Sequence, residues 1–262
     1  MSDKWFLITA GFSPESMVEA AKRVELQAAS IYSFEKVIRV SKENIRNYCP
    51  NLVGKYPAKI SDLTPGFGYA AWKTEVIYKA LRGDFGLCDG VVWLDAGCEI
   101  NSTFFTRIKF RKILAKAKNL GHAVFSLTTP EINFTKKSVF DLIPEAIGIE
   151  PEIQYQATYF ILYGKEGLRL SEAMFNFVLA DFEIIDPTVL SIDENDELML
   201  PKCEQSLFSL LIKSQGSINS MKVPPAANRG WKSIIRAITE PIWISRNRTG
   251  KSIIPKWLQF IP

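Results

Sequence analysis

The sequence predicts an α/β fold with a largely parallel sheet. Three observations carry that prediction. Short apolar runs rich in β-branched and aromatic residues alternate with amphipathic stretches of helical period. The run Val91-Val92-Trp93-Leu94 is apolar at every position, as a central strand covered on both faces must be. A chain of 262 residues that is 47% hydrophobic and 23% charged can also bury a core on two sides of one sheet.

Each element follows from local pattern. Residues 4–10 read as a buried strand bounded by Gly11 and Pro14. Met17, Ala20, Ala21, Val24 and Ala28 recur at helical spacing, so 15–30 reads as a helix starting near Ser13 or Pro14. Residues 34–40 suit a second strand, and 48–66, rich in Asn, Gly, Pro and Ser, a long loop. Trp72, Val76, Ile77, Ala80 and Leu81 share one face of a helix expected over 68–81, and Gly83, Gly86 and Gly90 end it. After the strand at 91–94 come a basic amphipathic helix over 103–119 and a strand over 123–127. A strand over 153–163, a helix over 166–182 and a helix over 204–213 complete the pattern. No internal repeat or low-complexity segment is present.

Composition excludes several classes. No apolar run approaches the ~20 residues needed to span a bilayer. The amino terminus has no basic region followed by a long apolar stretch, so a cytoplasmic location is expected. Cys49, Cys88, Cys98 and Cys203 match no zinc or redox spacing and read as reduced thiols. The net charge of +4 is unevenly spread. Residues 221–262 set eight basic side chains against Glu240 alone, a net of +7, which leaves −3 on residues 1–220. Trp231, Trp243, Trp257 and Phe260 fall in the same segment. The chain therefore divides into a body, 1–220, and a basic aromatic segment, 221–262, suited to peripheral contact with the inner face of an anionic membrane. No nucleic-acid-binding motif accompanies that charge.

Ligands of open α/β sheets bind beyond the carboxyl ends of the strands. Directly after the most apolar strand stands Asp95-Ala96-Gly97-Cys98-Glu99. Two carboxylates within five residues can hold Mg²⁺ or Mn²⁺, and Gly97 permits close approach; Asp95 also reads as a turn cap. The cluster Gly66-Phe67-Gly68-Tyr69-Ala70-Ala71-Trp72-Lys73 offers backbone N–H groups at a helix start, with Tyr69 and Lys73 four apart on one helical face. It fits neither the phosphate-loop nor the dinucleotide fingerprint. Glu204-Gln205 opens an amphipathic helix, where an acid is also ordinary helix-start chemistry. In Gln154-Tyr155-Gln156-Ala157, strand alternation predicts both glutamines on one face. The single histidine, His122, precedes an apolar run and reads as structural, which excludes catalytic sets built on several histidines.

In this order the clusters resemble bacterial GT-A-type nucleotide-sugar glycosyltransferases, in particular a group with a GYWxWKP-like helix, an (L/Y)xDAG turn and a late DQSLxSLL helix. The matching residues are Gly68-Tyr69-Ala70-Ala71-Trp72-Lys73, Leu94-Asp95-Ala96-Gly97 and Glu204-Gln205-Ser206-Leu207-Phe208-Ser209-Leu210-Leu211. Weaker matches are Ala20-Ala21-Lys22-Arg23, Phe134-Thr135-Lys136 and Gln154-Tyr155-Gln156-Ala157, so the likeness spans about residues 5–213. The family-8 type of glycosyltransferase, with its DxD turn, is a more distant resemblance. The likeness implies a GT-A-like fold, a Rossmann-type mixed, mostly parallel sheet flanked by helices, and a hexosyltransferase-like enzyme of polysaccharide biosynthesis. Such an enzyme moves a sugar from a nucleoside diphosphate sugar to a cell-surface or capsular glycan intermediate, free or lipid-linked.

By that likeness Asp95 lies next to the diphosphate and its Mn²⁺ or Mg²⁺. Gly68, Tyr69, Lys73, Gly97, Gln154 and Gln156 join Asp95 in donor binding, and Glu204 and Gln205 stand near the transferred sugar as catalytic residues. The sequence departs from the pattern at several places. The acid turn keeps one Asp, Glu204 replaces Asp, Thr74 replaces Pro, and Pro201-Lys202-Cys203 stands where the group carries a histidine. The alternative implied by those departures is a catalytically silent relative that binds a nucleotide sugar or glycan.

Overall fold

The computed structural model describes residues 3–146, 148–202, 204–216, 221–222, 240–244 and 248–251. In chain order the first half forms β1 (Trp5–Ala10), α1 (Glu15–Ile31), β2 (Lys36–Val40), α2 (Ile45–Tyr48), α3 (Pro50–Lys55), α4 (Gly66–Tyr69), α5 (Trp72–Arg82), β3 (Gly90–Leu94), β4 (Cys98–Ile100) and α6 (Phe104–Leu120). The second half forms β5 (His122–Ala123), β6 (Phe125–Pro130), α7 (Lys137–Leu142), β7 (Ile153–Tyr155), β8 (Tyr159–Tyr163), α8 (Gly164–Ala180), α9 (Glu204–Lys213), β9 (Met221–Lys222) and β10 (Ile242–Ile244).

The central sheet has the order β2-β1-β3-β8-β5. Strands β2, β1 and β3 are parallel, while β8 runs antiparallel to both β3 and β5, so β8 is the one reversed strand of these five. The mixed, mostly parallel sheet flanked by helices is thus as the sequence predicts.

Strand periodicity sorts the core into two layers. Phe6, Ile8, Val91, Trp93, Phe160 and Leu162 face one side, where they pack on apolar residues of α5, α8 and α9. Trp5, Leu7, Val92, Leu94, Tyr159 and Ile161 face the other, against Val24 and Ala28 of α1 and Phe110, Ile113 and Ala117 of α6. This alternation explains why β3 is apolar throughout. It also decides where the next polar residue points, because Asp95 continues the Trp93 face.

Four expectations need correction. The predicted strand 123–127 divides at Val124, with β5 in the central sheet and β6 in a three-stranded sheet ordered β7-β6-β9. The predicted strand 153–163 divides likewise, because residues 156–158 carry the chain from β7 in the small sheet to β8 in the central one. The loop predicted over 48–66 includes the end of α2 and the short helix α3. The helix predicted from Gly68 begins only at Trp72. Gly66, Phe67, Gly68, Tyr69 and Ala70 all have positive φ, between 51° and 93°. Segment α4 is therefore a left-handed turn, and Tyr69 shares no helical face with Lys73.

Parts of 221–262 pair with the body. β9 runs beside β6, and β10 beside β4, with Trp243 opposite Glu99 and only 7% exposed. Trp243 is therefore packed on the domain. Arg229, Trp231, Lys232, Arg236, Arg246, Lys256, Trp257 and Phe260 lie outside the described residues. No helix among the described residues is long and apolar enough to cross a membrane.

Candidate active site

The site grows from the end of β3. After Leu94 the chain turns at Asp95, whose N–H donates to Thr158 O (2.9 Å) and whose carbonyl accepts from Cys98 N (2.9 Å). The indole of Trp93, two residues back on the same face, donates to Asp95 Oδ1 at 2.8 Å. From α1, buried Arg23 clamps the turn, with Nη2 donating to Ala96 O (2.9 Å) and Cys98 O (3.0 Å). Its Nη1 reaches Thr249 O (3.1 Å), tying the carboxyl-terminal segment to the same turn. Gly11 ends β1 where a Cβ would stand 2.4 Å from Met17 O, so α1 can approach only a glycine there.

Lys73 enters from the first turn of α5 and is 3% exposed. Its Nζ donates to Glu204 Oε1 (2.6 Å) and Ala157 O (3.1 Å), stands 3.5 Å from Asp95 Oδ1, and lies 4.6 Å from the centre of the Trp93 ring. Burial works against the ammonium, but Asp95 and Glu204 together outweigh it and raise its pKa above the ordinary lysine value. Burial pushes the Glu204 carboxyl up against the pull of Lys73. The two directions compete for one proton; three oxygens around Nζ keep it on lysine, so the charged pair is the resting state. One ammonium between two carboxylates leaves the trio with a formal charge of −1.

Two cavities meet at Asp95. The first, about 460 Å³, opens beyond the carboxyl ends of β1 and β3. It is bordered by Gly11, Phe12, Phe67, Trp72, Lys73, Asp95 and Glu204, and by residues 62–66 at its rim. The Phe12 ring stacks on Phe67 with centres 4.4 Å apart, giving an aromatic wall. The second, about 450 Å³, is bordered by Asp95, Gly97, Thr158, Gln156, Gln205, Phe134, Lys202 and Arg248. Adjacent residues at the start of α9 thus face different cavities, Glu204 the first and Gln205 the second.

The serines of α9 pin it in place. Ser206 Oγ donates to Phe134 O (2.9 Å), Ser209 Oγ accepts from Tyr155 N (2.7 Å) and donates to buried Glu131, and Lys213 Nζ pairs with Glu131 at 2.9 Å. Gln154, fully buried, donates to Glu131 (3.0 Å) and accepts from Gln205 Nε2 (2.6 Å). Gln205 Oε1 accepts from Ala157 N at 3.1 Å.

Of the residues singled out in the sequence, Lys73, Asp95 and Glu204 therefore come together at the first cavity. Asp95, Gly97, Gln156 and Gln205 meet at the second. Gln154 braces Gln205 at 2.6 Å, and Gln156, one residue past the end of β7, borders the second cavity. Gly68 packs on Ile60, Tyr69 leans on Phe182 with ring centres 6.4 Å apart, and neither is among the residues that border these two cavities.

No family model matches the sequence, and no curated protein matches it. Among solved structures the chain is similar to the crystal structure of mouse xyloside xylosyltransferase 1 in its apo form. The identity is 11% and the TM-score 0.48, over 94% of this chain and 99% of that one. That distance leaves the function to be read from the site.

No group of three His, Cys, Asp or Glu side chains comes together among the described residues. Asp95 is the accessible carboxylate, its side chain 41% exposed, whereas Glu204 is taken up by Lys73. Mg²⁺ bound by substrate phosphates commonly uses only one or two protein carboxylates and several waters. With the −1 charge of the trio, the residues fit an ion carried in by a diphosphate and touched by Asp95. The Cys98 thiol just beyond the turn is buried, and burial pushes its pKa well up.

Sequence reasoning missed Trp93, Arg23 and Glu131. Trp93 had a signal, since residues two apart in a strand share a face. Arg23 stood only in a weak match and Glu131 in none, because the turn that Arg23 clamps lies 73 and 75 residues away and the α9 partners of Glu131 lie 78 and 82 residues away.

Proposed function

We propose that this chain is a glycosyltransferase that takes a nucleoside diphosphate sugar in the first cavity and a glycan acceptor in the second. The observation that carries the reading is the meeting of the two cavities at Asp95, flanked by Glu204 on one side and Gln205 on the other. Transfer between two bound sugars needs two spaces with a common wall at the reacting carbon. The aromatic wall of Phe12 and Phe67 suits stacking of a nucleobase. Asp95, at the mouth of both cavities, would hold the divalent ion, which when bound neutralises charge on the leaving diphosphate. Lys73 holds Asp95 and Glu204 in place from behind. Glu204 and Gln205 supply oxygens beside a sugar whose ring carbon turns positive during transfer. The resemblance to GT-A-type transferases supports the same assignment.

Calorimetry with UDP and GDP, each with and without Mn²⁺, tests the reading. Wild type should bind a nucleoside diphosphate more tightly with Mn²⁺, and Asp95→Asn should lose that gain while unfolding at nearly the same temperature. Absence of nucleotide binding would overturn the proposal. Binding without turnover of any UDP- or GDP-sugar would point to the catalytically silent alternative.

A further inference from the structure

We infer that the second cavity takes a saccharide bearing a negative charge, a carboxylate or a phosphate, so that the acceptor of the proposed transfer is an acidic glycan. The inference rests on the transfer reading only for the word acceptor; the site itself stands on its lining. Lys202 and Arg248 border this cavity, and neither has a carboxylate partner within ion-pair distance among the described residues. The Lys202 ammonium lies 4.6 Å from the centre of the Phe134 ring, and its own N–H donates to Phe134 O at 3.0 Å. Its position is thus set by the wall and not by a counter-charge.

Among the described residues Asp95 is the one carboxylate bordering the cavity, and it belongs to the trio of formal charge −1. Against that −1, Lys202 and Arg248 leave the described surroundings of the cavity with a formal charge of +1. A second observation points to a ligand. Gln156 is 3% exposed, borders the cavity, and its Nε2 has no hydrogen-bond partner among the described residues. An unmet buried donor is costly, and turning the amide toward a sugar oxygen in the cavity would satisfy it. Two unpaired cations, a buried amide and the apolar face of Phe134 together form the kind of lining that reads an acidic sugar. The cations take the charge, the amide takes a hydroxyl, and the ring takes the apolar face of the pyranose.

The test uses the full chain and three probes measured by ligand-observed NMR: methyl β-glucuronide, glucose 6-phosphate and methyl β-glucoside. UDP is present throughout to fill the first cavity. At least one charged probe should bind about tenfold tighter than the neutral glucoside, as charge-assisted bonds outweigh neutral ones. The gap should shrink with added NaCl. Whichever charged probe leads identifies carboxylate or phosphate as the anion.

Lys202→Gln and Arg248→Gln should each narrow the gap, whereas Gln156→Leu should weaken charged and neutral probes by a similar factor and leave it. Equal binding of charged and neutral probes, no binding of any, or a gap unchanged in both cation variants would overturn the inference. UDP binding is scored separately. If UDP binds and the probes do not differ, the acidic acceptor fails while the transfer reading stands. If the charged probe binds and UDP does not, the transfer reading fails and the anion site stands.

Discussion

At the residue scale, the trio of Lys73, Asp95 and Glu204 is both the chemistry and the weak point of the fold. A buried ion pair adds little net stability, but removing one partner leaves the other charge stranded, at a cost of about 3–5 kcal/mol. Lys73→Met should therefore lower the unfolding free energy by that amount, as read from urea denaturation. The double variant Lys73→Met, Glu204→Leu should recover most of it. A loss below about 1 kcal/mol in the single variant, the range of exposed pairs, would show that the trio is solvated. Gln205 has a different role, since its amide is bonded on both sides to Ala157 N and Gln154. Gln205→Ala should cost about 1–3 kcal/mol through those two unmet groups. It should also abolish sugar transfer while leaving nucleoside diphosphate affinity intact, because Gln205 borders only the second cavity. Parallel calorimetry and donor-turnover assays separate the two effects, and equal loss of both would reduce Gln205 to a structural part.

At the element scale, the left-handed turn at Gly66–Tyr69 is the least expected feature. A left-handed residue other than glycine costs roughly 1–2 kcal/mol, and Phe67, Tyr69 and Ala70 all adopt that conformation. The strain has a visible return. Phe67 is placed against Phe12, and the Trp72 indole donates to Gly66 O at 3.2 Å, closing the wall of the first cavity. Ala70→Gly should therefore stabilise the protein by about 1 kcal/mol without changing nucleotide affinity. Gly68→Ala should destabilise it by at least as much, since φ is +93° and a Cβ would stand 3.0 Å from Ile60 Cγ1. Denaturation midpoints of the two variants decide; shifts of the same sign would contradict the strained turn. The glycines mark this segment as irregular in sequence. Nothing local marks its handedness, because that is imposed by what Phe67 and Trp72 pack against.

At the scale of the whole molecule, one histidine supplies a clean titration. His122 lies in β5 at the sheet edge, 2% exposed, and burial lowers its pKa below the ordinary 6.5, with Glu166 opposing and Lys116 assisting. The unfolded chain then binds the proton more readily than the folded one, so stability is full above pH 6.5 and falls as pH drops below it. The slope is bounded by about 1.4 kcal/mol per pH unit for one proton. Urea midpoints between pH 5 and 7.5 should show the fall in wild type and lose it in His122→Asn. An unchanged slope in the variant would assign the titration to carboxylates instead.

The sequence alone determined the layers of this protein. Periods of 2 and 3.6 in its apolar residues place β1, α1, β3, α6, α8 and α9 close to where they lie, and the double-faced apolar run of β3 identifies the sheet centre. It also marked Lys73, Asp95, Glu204 and Gln205 as residues to watch, through a polar turn after a buried strand and a charged helix start. Tertiary structure decided the rest. That Gln154 braces Gln205 while Gln156 borders the second cavity depends on α9 packing beside β7, which Ser209 bonds to at Tyr155. That Asp95 faces two cavities, and that Lys73 reaches Glu204 across 131 residues, follows from packing α5 and α9 on the same face of the sheet. Local pattern is set by neighbours a turn or a pleat away, whereas a site is set by contacts whose partners no local period can indicate.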